Sequence, residues 1–126
     1  MNENEISYKI RGAAFKVHNA LGPGLLESVY EKVLEYELKK AGLEVKTQVP
    51  IPVIYEDVKL DLGFRLDILV NEKVIIEIKS VEQMAKVYYK QLLTYLKLTD
   101  KKLGLLINFN SDTLDTHSMV RMVNHL

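Results

Sequence analysis

RLDILVNEKVIIEIKS, residues 65–80, reads as two strands joined at Asn71, Glu72 and Lys73. If Val70 pairs with Val74, then Ile68 pairs with Ile76, Leu66 with Ile78, and Asp67 with Glu77. Strand side chains alternate between faces with a period of two. One face is then Leu66, Ile68, Val70, Val74, Ile76 and Ile78, wholly apolar; the other carries Arg65, Asp67, Leu69, Ile75, Glu77 and Lys79. Two carboxylates meet across the hairpin, with a lysine one step along. Like charges directly opposite on neighbouring strands repel. Something should relieve that repulsion, and a bound cation is one candidate.

The rest of the chain is read outward from this hairpin. Upstream, Ile6, Ile10, Ala13, Val17 and Leu21 follow one helical face, predicting a helix over about 4–20 that breaks at Gly22, Pro23 and Gly24. A second helix is expected over about 24–41, with Leu26, Val29, Tyr30, Val33, Glu37 and Ala41 on its inner side, Leu34 and Leu38 beside them, and Gly42 as its stop. Residues 43–55 look extended, although Pro50 and Pro52 cannot donate ladder hydrogen bonds and so suggest an edge or a bulge. A turn near Glu56 and Asp57 leads into a strand over 58–70, where Gly63 would mark a bulge.

Downstream, Ser80 and Gln83 fit a capping box for a third helix, though a later start fits as well; its stripe is Met84, Tyr88, Gln91, Leu92, Tyr95 and Leu98, and it ends near Leu98. LGLLINF, residues 103–109, is a short buried strand, and residues 117–123 fit a strand or a short helix equally well. The order predicts a single α/β (α+β) domain over residues 1–126, with a mixed sheet flanked by helices.

Composition narrows the function classes. The chain has 126 residues, is 48% hydrophobic and 27% charged, and carries 17 basic and 17 acidic side chains. That is a globular composition without the basic excess of a dedicated nucleic-acid binder, which leaves room only for a local basic patch. With no cysteine, disulfides, thiolate metal sites and cysteine catalysis are excluded. No apolar run reaches membrane-spanning length and the N-terminus shows no apolar signal segment, so a cytoplasmic protein without a membrane partner is expected.

Among residues that could carry chemistry, Asp67, Glu77 and Lys79 stand first. Mg²⁺ is satisfied by one or two carboxylates and several waters, and the Ile78 carbonyl could add a ligand. A metal there would polarise a phosphoryl oxygen and acidify water, while Lys79 would stabilise developing negative charge. On pattern alone the plainer account leads: a solvated strand face with one ion pair. Glu27, in the first turn of the second helix, either complements the helix dipole or supplies a third carboxylate to the site. Gln91 interrupts an apolar stripe, as a locally satisfied amide or as a group that orients water or a carboxylate. His18 reads more readily as a helix-border histidine than as a ligand. Tyr30 reads as packing, with its hydroxyl at a polar rim. Arg65 could contact phosphate or pair with Asp67. Lys86, Lys90, Lys97, Lys101 and Lys102 make the third-helix region basic, most simply as a solvated face.

Asp67, followed ten residues later by Glu77-Ile78-Lys79, resembles the core of the PD-(D/E)XK nuclease superfamily. The chain as a whole looks like the small GxxExxY (GxxExxR) proteins of that superfamily. The matching stretches are VHNALGPGLLESVYE from Val17, FRLDILV from Phe64, VIIEIKSV from Val74, QLLTYLKLT from Gln91 and LGLLINFN from Leu103. Leu66 stands where the superfamily has a proline, and Tyr30 ends the GxxExxY motif. The resemblance implies a restriction-endonuclease-like fold and a site for Mg²⁺ or Mn²⁺. In it Asp67 and Glu77 would be metal ligands, Lys79 the catalytic lysine, Glu27 the helix-borne acid and Gln91 the glutamine of the following helix. The implied activity is hydrolysis of DNA or RNA phosphodiesters. The competing expectation is a catalytically silent nuclease-fold module for binding or assembly, for which a partner chain or a homodimer would complete the surface.

Overall fold

The hairpin forms in the expected register and then departs from it. In the computed structural model, which describes residues 1–61 and 63–126, β4 (Arg65–Val70) and β5 (Val74–Lys79) pair antiparallel through Val70↔Val74, Leu69↔Ile75 and Ile68↔Ile76. Asn71 and Glu72 both turn the chain with positive φ (51° and 56°). The ladder stops one step before Asp67 and Glu77.

Five strands make the main sheet, in the order β1-β4-β5-β6-β7, with β1 at Val45–Pro50, β6 at Leu103–Asn108 and β7 at Met119–Val123. Only β5 and β6 run parallel. A parallel pair needs a crossover, and α3 (Lys86–Thr99) supplies it. The 117–123 segment resolves as a strand. The sheet is mixed, with α1 (Glu3–Leu21) and α2 (Glu27–Lys40) packed on one face through Ile6, Ile10, Tyr30, Leu34 and Leu38. On the other face α3 packs Leu92, Tyr95 and Leu96 against Leu69, Ile75 and Leu106. No helix of the described residues is long and apolar enough to cross a membrane.

Several expectations are corrected. Residues 43–55 and 58–70 are not two continuous strands: β2 (Val53–Tyr55) and β3 (Val58–Leu60) leave the main sheet and form their own hairpin about the turn at Glu56 and Asp57. Residue 62, within the expected strand, lies outside the described residues. Gly63 (φ 79°) belongs to the link into β4 rather than to a bulge inside a strand. The buried stripe of α2 is Tyr30, Glu31, Leu34 and Leu38; Leu26 and Val29 are exposed. The third helix starts at Lys86, and its N-cap residue Ala85 makes no side-chain cap. Ser80 lies well before that start and does not cap it; its hydroxyl donates to the Leu25 carbonyl and its N–H to Glu27.

The departure that matters most is at Leu66. With Ile68 and Val70 it was expected on one apolar face. Instead it packs with the α3 layer, while Ile68 and Val70 pack with the α1 and α2 layer. β1 does the same: Val45 packs with the α1 and α2 layer and Val49 with the α3 layer. Both strands change face at one step, Gln48 beside Asp67. The β1–β4 register runs Thr47↔Ile68, then Val49↔Leu66, without a pair between them. Gln48 has φ 52°, the left-handed region that side chains other than glycine occupy at a cost. The sheet is thus open on both sides of Asp67.

Candidate active site

Where the ladder opens, side chains replace backbone partners. The Asp67 N–H donates to Glu77 Oε2 at 2.9 Å, and the Ile78 N–H donates to Asp67 Oδ2 at 2.8 Å. Each carboxylate therefore reaches across to the opposite strand's backbone. This crossed arrangement answers the amides that the missing ladder bonds would have left bare. It also keeps two acids in contact distance of one gap. Alternate strand residues point both their N–H and their C=O to the same neighbour. Ile78 directs its N–H to β4, so its carbonyl faces the same gap, whereas the Lys79 carbonyl faces β6 and accepts from Phe109 N–H at 2.9 Å.

The electrostatics follow from burial. Glu77 is buried, and desolvation first, then the charge of Asp67, push its carboxyl from 4.5 up to about 9, with Lys79 opposing the shift. Lys79 holds its ammonium 4.6 Å from the centre of the Tyr88 ring. An aromatic face attracts a cation, so α3 fixes the lysine beside the carboxylate pair. Burial, then the charges of Glu77 and Asp67, also raise the Tyr95 hydroxyl, while the nearby Gln91 side chain opposes this. Gln91 thus lies near Tyr95 rather than on the acids.

Glu27 opens α2, and its carboxylate accepts from the Ser80 N–H at 3.3 Å, just past Lys79. It joins the end of β5, not the Asp67–Glu77 contact. Tyr30 fixes the turn before Glu27: its hydroxyl donates to the Gly22 carbonyl at 2.6 Å and accepts from the Leu25 N–H at 3.2 Å. Its ring is fully buried, the packing role expected of it, and stacks on Phe109 at 4.7 Å. His18 sits apart from the acids, with Nε2 at 2.7 Å from the Ser111 carbonyl, tying α1 to the loop after β6. Arg65 is exposed and lies 3.8 Å from Asp61, not beside Asp67.

Sequence reading missed a second acid on α2. Glu31 is buried, takes a hydrogen bond from Gln48 Nε2 at 2.7 Å, and titrates above its ordinary value. Burial is the main cause and the charge of Asp67 a further one. The signal was available: Glu27 and Glu31 are four apart, the spacing that aligns two side chains on one helical face. Asn108 was also missed. Its side-chain amide donates to the Val81 carbonyl at 2.9 Å and accepts from the Val81 N–H at 3.1 Å, which anchors the chain leaving Lys79.

The donor set suits a hard divalent cation: two carboxylates and a carbonyl at one gap, all oxygen. Among the described residues, no three His, Cys, Asp or Glu side chains gather closely enough to hold a metal. Asp67 and Glu77 are brought together; Glu27 stays at Ser80 and Glu31 at Gln48. A sequence-family profile described as the PD-(D/E)XK nuclease superfamily matches residues 4–122. The chain belongs to the PD-(D/E)XK nuclease superfamily. The superfamily is one of nucleases, which implies a nucleic-acid substrate, and its members generally use divalent metals. Searches of curated proteins and of solved structures return no significant match. The five-stranded mixed sheet with helices on both faces agrees with a restriction-endonuclease-like PD-(D/E)XK fold.

Proposed function

We propose that residues 1–126 form one nuclease domain of the GxxExxY group that hydrolyses DNA or RNA phosphodiesters with Mg²⁺ or Mn²⁺. We propose a cytoplasmic setting and a homodimer as the arrangement that would widen the substrate surface. The observation that carries the reading is the opened ladder, where Asp67 and Glu77 cross-bond to Ile78 and Asp67 amides beside Lys79. Asp67, Glu77 and the Ile78 carbonyl would hold the ion. When bound it supplies Lewis acidity toward the phosphoryl oxygen and acidifies water.

The chain's own residues do the rest. Glu77 must release its proton as the carboxylate takes up its ligand role. Lys79, steadied by Tyr88, places positive charge where the phosphoryl oxygens gain negative charge. Water adds to phosphorus, the P–O ester bond breaks, and the water's proton ends on the departing alkoxide. Gln91 supports the arrangement through Tyr95. Glu27 holds the Lys79–Ser80 end of β5 through one carboxylate oxygen and leaves the other for water.

The test is cleavage of single-stranded, duplex and branched DNA and of RNA with either ion. Activity is expected on at least one substrate and lost in Lys79→Ala. Activity that survives this change overturns the role given to Lys79, and none on any substrate favours the silent binding module, whose support is the balanced charge of the chain. Calorimetry separates the two: ion binding abolished by Glu77→Ala speaks for the enzyme.

A further inference from the structure

Away from the acids, α1 borders an open groove of about 680 Å³ against β7, lined in part by Asn4, Ser7, Tyr8, Arg11, Phe15 and Arg121. Its outer rim on α1 is a regular stripe: Asn4, Tyr8, Arg11 and Phe15 follow the i, i+4, i+7, i+11 spacing of one helical face. Tyr8 is 81% exposed and Phe15 38% exposed, although α1 has its buried face elsewhere, on Ile6, Ile10, Ala13 and Val17. These two rings are therefore not needed for the core. Seven residues separate them, about 10.5 Å along a helix, and Arg11 lies between.

No Asp or Glu lines this groove, in a chain whose charges balance. Among the described residues neither Arg11 nor Arg121 is within salt-bridge distance of a carboxylate. Arg121 spends one nitrogen on Asn4 Oδ1 at 2.6 Å, which keeps its guanidinium turned toward α1. An adjoining cavity of about 500 Å³ shares both arginines and contains Asp115. That carboxylate accepts from the His117 N–H at 2.8 Å and the Ser118 N–H at 3.1 Å, both through Oδ1, and makes no ion pair with either arginine. Lys9 is also turned away, to the Ala41 carbonyl. Two forked cations remain, flanked by exposed rings.

We propose that this groove binds a single-stranded nucleic acid, with Arg11 and Arg121 on successive phosphates and Tyr8 and Phe15 as stacking platforms for unpaired bases. Guanidinium matches phosphate through paired hydrogen bonds. Stacking on aromatic side chains beside a cationic track is how single strands are held without sequence preference. A duplex would not offer free base faces to Tyr8. A second copy laid stripe to stripe would add two more arginines to the groove and no acid. The groove itself stands on geometry; that its anion is a phosphodiester strand rests on the nuclease reading.

The experiment is fluorescence anisotropy of a labelled mixed-sequence single-stranded oligonucleotide, titrated with the full chain in EDTA at several salt concentrations. Arg11→Ala with Arg121→Ala should weaken binding at least tenfold. It should also flatten the slope of log affinity against log salt by about 1.4, the loss of two phosphate contacts on a single strand. Arg11→Lys with Arg121→Lys should restore most of the salt slope. Tyr8→Ala should weaken binding about tenfold with the slope unchanged, as loss of one stacked base predicts. All three sites are exposed, and unchanged melting temperatures verify folding. Binding by the natural chain that is indifferent to both arginines overturns the groove, and does so alone if cleavage persists. No binding by the natural chain overturns it too, as does a dimer in ultracentrifugation that Tyr8→Ala dissociates. Binding through the groove with no cleavage of any substrate overturns only the nuclease reading.

Discussion

A carboxyl held neutral by burial has a direct cost that can be measured. In the unfolded chain Glu77 titrates near 4.5, and in the fold near 9, chiefly because it is desolvated and secondly because Asp67 is charged. The folded state therefore prefers the protonated form. By linkage, the stabilisation is fully present below about 4.5 and is lost as pH rises toward about 9. Metal-free protein should melt at progressively lower temperature across that window. Glu77→Gln, which keeps the neutral shape and one hydrogen-bond acceptor, should flatten the curve; parallel curves for the two proteins would refute the assignment. The same residue shows what a sequence can and cannot give. Alternation placed Asp67 opposite Glu77, but not that each would reach for the other strand's amide. That outcome depends on where the ladder breaks, and the break is matched on β1 by Gln48 in a left-handed backbone that no propensity marks.

At the scale of elements, the seat of α3 on the sheet sets where Tyr88, Gln91 and Tyr95 meet the hairpin. Gly104 on β6 makes that seat possible: a Cβ there would lie 2.8 Å from Leu92 Cδ1, and Leu92 is fully buried. Gly104→Ala should therefore destabilise the protein by about 1–3 kcal/mol through overpacking. Combining it with Leu92→Ala should cost less than the two changes added, because each relieves the other's misfit. Urea unfolding of the four proteins measures this, and strict additivity would show that α3 does not rest on Gly104. Element types were legible from the sequence because periodicity reports which face is buried. Ends were less so. Ser80 and Gln83 satisfy the capping pattern, yet Ser80 is drawn to Leu25 and Glu27, residues more than fifty positions away. β2 and β3 were hidden for a related reason: their strand-like composition is real, but Pro50 and Pro52 release the chain from the main sheet before Val53. The inner stripe of α2 was misplaced by one position, which left Glu31 unseen beside Asp67.

At the scale of the molecule, the site is assembled from three layers that separate in sequence. α2 brings Glu27 and Glu31, the central hairpin brings Asp67, Glu77 and Lys79, and α3 brings Tyr88, Gln91 and Tyr95. The helices are held by their packing on the sheet, which leaves the repulsion between Asp67 and Glu77 at their shared gap for a bound cation to relieve. An ion bound there should act on the whole fold, because it binds the native arrangement and has no comparable site in the unfolded chain. At an ion concentration one hundred times its dissociation constant the gain is about 2.7 kcal/mol, which for a chain of this size raises Tm by roughly 10 °C. The gain should grow as pH rises, since the ion then displaces fewer protons from Glu77 and relieves a carboxylate that is otherwise costly. Scanning calorimetry with Mn²⁺ against EDTA at acidic and alkaline pH gives the result. A shift that is larger at alkaline pH and absent from Asp67→Asn with Glu77→Gln is expected. An equal shift in that variant would place the ion elsewhere on the surface. A shift lost also with Glu27→Gln would mean that the helix-borne acid, held at Ser80 in this arrangement, swings in to complete the site once the cation arrives.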